Sequence, residues 1–204
     1  MAGGARTHVC PLGPGRRRQG NMSMGPTETL KHEHQVILHV LEAAEREVRS
    51  IRTSGTVNAE LVGKMVDFFR NFADRCHHAK EEKQLFAVMT ERGFPQEDGP
   101  IAVMLAEHDQ GRRHVRQIDE ALSKAAGGDG AAVTTVADNL ARYSELLRQH
   151  IDKEDHVLYV MADQVLTADD QRALTEAFER IEAEEMGAGT HEKYHRLAHE
   201  LTET

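Results

Sequence analysis

Two stretches of this chain carry the same set of side chains at the same spacing. Cys76–Phe86 reads CHHAKEEKQLF and Gln149–Tyr159 reads QHIDKEDHVLY, and both follow His-x-x-Lys-Glu-acid-x-x-Leu-aromatic. Residues four apart share one face of a helix, so His77 with Glu81 and His150 with Glu154 can each grip a cation from a single helix. Paired imidazole and carboxylate arms favour iron or manganese over the thiolate-rich sites typical of structural zinc. Aligning the stretches sets His77 opposite His150 and His78 opposite Ile151. His77 is therefore the expected inward ligand, with His78 the alternate.

Such arms need facing helices to hold them. Leu30, Ile37, Leu38, Leu41, Val48 and Ile51 recur at helical spacing after Thr27, which can cap, and TSGT ends that helix. A second helix is expected from about Val57 to Arg92, with Phe68, Phe69, Phe72, Leu85 and Phe86 on its apolar stripe and GFP as its stop. A third runs from about Gly99 to Ala126 and ends at GGDG, and a fourth from about Ala131 to Asp163. A fifth opens at Thr167, an N-cap, and THEKYHRLAHEL adds a final turn or two. No segment alternates with period two, so the fold class is all-α. Short loops between four long helices make neighbours antiparallel, an up-down-up-down four-helix bundle with an additional C-terminal helix and tail.

In that topology His34, His77, His108 and His150 all fall near one end of the bundle, roughly 12 to 22 Å along its axis at 1.5 Å per residue. Glu81 and Glu154 fall in the same layer. His39, His78, His114 and His156 each point roughly 100° or more from the nearest assigned ligand on a regular helix. We expect these four to be surface or hydrogen-bonded side chains. HEKYH, His191 to His195, matches the zinc-peptidase pattern. Little sequence follows it to supply a third ligand or a cleft, so Tyr194 and Leu197 are expected to pack on the bundle instead.

The chain has 204 residues, 39% hydrophobic and only 4% aromatic, enough for one helical domain with tails. Its net charge is −9, and the first 24 residues carry four arginines and no acid, so the remainder is more acidic still. That argues against nucleic acid as a partner, since phosphate contacts need clustered Lys and Arg. No apolar run reaches the ~18 residues of a membrane span, and no signal-peptide core precedes the helices. Cys10 and Cys76 give no disulfide framework. The expectation is a cytoplasmic protein without a membrane segment. Residues 1–25 are expected to be a disordered tail, 26–164 the bundle, and 165–204 a helical extension packed on it.

The segments KHEHQVI, HHAKEEKQLF, EHDQGR and HIDKEDHVLY resemble, in order and spacing, the four helical motifs of the hemerythrin-like (HHE cation-binding) family. The resemblance covers about residues 26 to 163. It implies a non-heme di-iron centre of two iron ions, oxo- or hydroxo-bridged when oxidised. His34, His77, His108 and His150 would be terminal ligands, and Glu81 and Glu154 would bridge. The expected partner is a small diatomic or peroxide ligand (oxygen, peroxide or nitric oxide), and the chain is expected to be a monomer or weak dimer. The oxygen carriers have a second His one turn along the third helix, where this chain has Met104 and Arg112. One iron is therefore expected to keep an open position, which moves weight from oxygen carriage toward peroxide, oxygen or nitric oxide chemistry, or toward an iron- or redox-responsive sensor without turnover.

Overall fold

The computed structural model describes residues 24–186 and 189–203, the side chains of 185, 186, 190, 191, 202 and 203 excepted. Most of the expected N-terminal tail, residues 1–23 with Cys10, lies outside that range, as does the side chain of His191 in HEKYH. The described residues form helices and connecting turns, with no strand among them. None of these helices is long and apolar enough to cross a membrane.

Helix α1 spans Pro26–Ser54, starting with proline at its first turn and ending where Gly55, at φ 71°, turns its N–H back to the Ile51 carbonyl. Thr27 does not cap it. Its hydroxyl instead donates to Asp163 across the bundle at 2.8 Å. Helix α2 (59–91) begins where the Asn58 side chain accepts from the Leu61 N–H. Helix α3, Pro100–Ala126, leads through a glycine turn to α4 (130–165), whose first amides are capped by Asp129. Helix α5 (168–186) opens with a Thr167–Asp170 capping box, as its sequence suggests. Helix α6 spans Thr190–Glu203.

Two of the long helices are not regular. In α2, Phe69–His78 and Glu81–Leu85 are wound as π-helix, and in α4 so is Glu154–Leu158. Each short π-turn begins at one of the two expected bridging glutamates. Single π-turns inside α-helices weaken the regular hydrogen-bond ladder and are kept mainly where they place functional side chains.

The apolar core is split in two. A larger cluster holds Ile37, Leu41, Phe68, Phe72, Ile118 and Leu140, and a smaller one holds Leu30, Leu85, Phe86, Ile101, Leu158 and Phe178. In each of α1 to α4 buried polar side chains stand between the two clusters: Glu33 and His34; His77, His78, Lys80 and Glu81; His108; and His150 and Glu154. The apolar clusters thus clamp a polar layer from both sides. On the outside, Tyr194 of α6 rests against Phe68 and donates to Asp67 at 3.0 Å, while Leu174 and Phe178 of α5 join the smaller cluster.

Candidate metal centre

Seven buried side chains of that layer converge on one another: His34 from α1, His77, His78 and Glu81 from α2, His108 from α3, and His150 and Glu154 from α4. They form two groups whose ligand atoms lie within 4.8 Å of one another. The first is His34, His77, Glu81 and Glu154, and the second is His78, Glu81, His108 and His150. Glu81 belongs to both. Its Oε2 lies 3.7 Å from His77 Nε2 and 3.4 Å from His108 Nε2. Glu154 also faces both sides, with Oε2 3.2 Å from His34 Nε2 and Oε1 3.1 Å from His150 Nε2.

The imidazoles are oriented from behind. Each presents Nδ1 to a carboxylate: His34 to Asp155 at 2.8 Å, His77 to Glu33 at 2.9 Å, His108 to Glu82 at 2.6 Å, His150 to Glu107 at 2.9 Å and His78 to Asp74 at 3.3 Å. A carboxylate on Nδ1 accepts the N–H there and leaves the Nε2 lone pair free, the arrangement that metal-binding histidines use. Four of these acids follow a crossed rule. Glu33 and Glu107 precede His34 and His108 in sequence but serve His77 and His150, while Glu82 and Asp155 follow Glu81 and Glu154 but serve His108 and His34. Their one signal in the sequence is that each neighbours a candidate ligand while supporting a histidine on a different helix.

His78 departs from expectation. Read as an outward side chain, it is 5% exposed, stacks on His108 with ring centroids 3.8 Å apart, and joins the second group. The π-helical winding of Phe69–His78 alters the regular 100° step, so two successive histidines both turn inward. The imidazole missing from α3 is therefore matched by one on α2. Met104 is packed in the smaller apolar cluster, and Arg112 lies behind the site, bridging Asp74 at 2.8 Å and Glu82 at 2.7 Å. The more open group becomes that of His34 and His77. Beside it Tyr159 donates to Glu81 Oε1 at 2.6 Å; the equivalent residue of the first repeat, Phe86, has no hydroxyl. His39 and His156 are exposed, and His114 pairs with Asn139 at 2.9 Å, as read from the sequence. Among the described residues, neither metal-type group includes His195.

The donor set fits a cation. Glu81 Oε2 and both carboxylate oxygens of Glu154 are buried without an aligned hydrogen bond, an arrangement that costs stability unless a positive charge answers it. The histidines face each other in pairs, with 2.9 Å between the Nε2 atoms of His34 and His77 and 3.0 Å between those of His108 and His150. Two lone pairs cannot meet at that distance, so each pair needs one proton or a cation between its members. The titration directions assign the proton. Burial lowers His77 to about 4, and burial with the neighbouring His78 lowers His108 to about 3. Burial also opposes charge on His34 and His150, but Asp155 and Glu154 outweigh it for His34, and Glu154 with Glu107 raises His150 to about 9. Burial and the Glu154 charge keep Glu81 well above the usual carboxylate range, whereas His150 and His34 hold Glu154 well below it despite burial.

Loading metal into protein stripped with a chelator near neutral pH should therefore release at least two protons per chain, one from each histidine pair. Indicator-dye titration in weak buffer measures this. Release of none would contradict the assignment of Nε2 as the metal-facing atom.

Comparison with known proteins agrees with the donor set. The chain is 25% identical over 160 residues to uncharacterized proteins from Mycobacterium bovis and Mycobacterium tuberculosis, the matched region being 78% of this chain and 62% of theirs. The chain thus spans less than two thirds of the length of the curated relatives it matches. No solved structure gives a significant match. The Hemerythrin HHE cation-binding domain matches residues 25–162, the stretch that holds every member of both metal-type groups, and the chain belongs to that family.

Proposed function

We propose that this chain is a non-heme di-iron protein that binds or transforms a small ligand, oxygen, peroxide or nitric oxide, within an up-down-up-down four-helix bundle formed by α1 to α4. The observation that carries the reading is the pair of buried carboxylates set between the two groups of imidazoles. Glu81 and Glu154 each face both groups of imidazoles, and three of their four oxygens are buried without a hydrogen-bond partner. Two adjacent cations of mixed nitrogen and oxygen preference fit such a set, and iron matches it without any thiolate. Iron bound there would supply the redox chemistry. The chain's own part is to orient the imidazoles through Asp155, Glu33, Glu82, Glu107 and Asp74, to exclude water with two apolar clusters, and to hold a proton on the Tyr159 hydroxyl beside Glu81.

A sensor without turnover is the second reading, and one contact favours it. Lys80 bonds both to Glu33, the acid behind His77, and to Glu182 of the C-terminal extension, which links the centre to α5.

Elemental analysis with an optical spectrum tests the proposal. About two irons per chain are expected, and His77→Ala with His150→Ala should lower that below half, whereas His39→Ala with His156→Ala should leave it near wild type. Equal losses in the two double variants would sink the ligand assignment. Consumption of hydrogen peroxide by the loaded protein separates turnover from sensing.

A further inference from the structure

A cavity of about 110 Å³ opens between α2, α3 and α4. Its walls run from exposed Arg70 and Arg116 inward past Gly111, Val115 and Tyr143 to His78. His78 is thus at once a member of the second metal-type group and part of a wall reached from the surface. The larger surface hollows, one beside Met24 and Ala168 and another beside Gln117 and Asn139, touch no member of either group.

The inner wall is built for a polar guest. Tyr143, 2% exposed, lines it together with the side chains of Asp74 and Arg112. A hydroxyl, a guanidinium and a carboxylate together offer a small polar molecule both donors and acceptors. Gly111 keeps this wall in place, since a Cβ there would stand 3.3 Å from Tyr143 Cε2 and press on the ring. Water takes roughly 30 Å³ in the liquid, so the volume suits one molecule of about two to four heavy atoms with room to move.

Building on the di-iron reading above, we propose that this cavity binds one small hydrogen-bonding molecule, of the size of hydrogen peroxide or azide, and conducts it from solvent to the His78 side of the centre. The Tyr143 hydroxyl holds the guest, and Val115 sets the width of the passage. None of the ligand candidates on the His34 side lines this route.

The test uses azide as probe and two variants outside the ligand set. In the iron-loaded chain, Val115→Phe should keep its metal and slow azide association tenfold or more by filling the passage. Tyr143→Phe keeps the shape and removes the hydroxyl, and should weaken azide binding about fivefold with iron content unchanged. If Val115→Phe does not fold, Val115→Leu is read in the same way, with a slowing of about threefold. A metal-independent arm follows exchange of the histidine C2 protons with D2O in chelated protein, mapped by peptide mass spectrometry. His78 should slow at least threefold in the Val115 variant while His34 is unchanged. Absence of iron from the wild type would overturn the di-iron reading, and the exchange arm would still decide the passage. Azide rates within twofold of wild type in an iron-retaining Val115 variant, or unchanged His78 exchange, would overturn the proposal.

Discussion

Glu81→Gln is expected to abolish most of the stabilisation that metal gives while leaving the metal-free protein within about 1 kcal/mol of wild type. A ligand bound only to the folded state at a thousand times its dissociation constant stabilises by about 4 kcal/mol, and that is the quantity at stake. The second half follows from the environment of Glu81. Burial and the charge of Glu154 keep its carboxyl neutral well above the usual range, and its Oε1 already accepts from Tyr159. Glutamine is a neutral group of the same shape that can accept the same bond, so the metal-free fold loses little. It cannot supply the anionic oxygen that a cation held by both groups would draw from this position. Glu154→Gln should behave differently, because Glu154 stays ionised between His34 and His150 and removing its charge disturbs both imidazoles. Thermal unfolding of each variant with and without iron gives the comparison. If Glu81→Gln destabilised the chelated protein as much as Glu154→Gln, the assignment of the neutral member of the pair would be wrong.

Lys80→Ala should cost about 3–5 kcal/mol, against at most about 1 kcal/mol for Lys153→Ala. The two lysines occupy the same position in the repeated motif, and each bonds the acid behind a histidine, Glu33 behind His77 and Glu107 behind His150. Their surroundings differ. The Lys80 side chain is fully buried between Glu33 and Glu182, with its ammonium 5.8 Å from the centre of the Phe178 ring. Removing it takes the ammonium from the buried Glu33 carboxylate, which still bonds His77, and breaking a buried ion pair is among the most destabilising of single changes. Lys153 is 39% exposed, so water replaces most of what its loss removes. Loosening Glu33 also frees His77 to rotate, and loss of such supporting contacts typically weakens metal binding 10- to 100-fold, about 1.4 to 2.7 kcal/mol. Denaturant unfolding of the two metal-free variants measures the first difference and competitive chelation the second. Equal stability losses at the two positions would show that burial of Lys80 between its carboxylates does not set its contribution.

The helices, their order and the layer containing His34, His77, Glu81, His108, His150 and Glu154 could be read from the sequence, because each rests on spacing along one helix. A histidine and a glutamate four residues apart share a face whatever surrounds them, and an apolar stripe marks which face is buried. What the sequence left open depends on neighbours distant along the chain. His78 turns inward because Phe69–His78 is wound more widely than a regular helix, a departure that only packing against α3 and α4 can hold. Arg112, read as the position of an absent histidine, is drawn outward by Asp74 and Glu82, acids of another helix. The partners of the crossed carboxylates were left open for the same reason: Glu33 is next to His34 in the chain but turns to His77, 44 residues away. Lys80 and Lys153 have one motif and two environments, because α5 covers only the first. Local spacing determines which side chains share a face, whereas contact between faces is decided by how the helices pack.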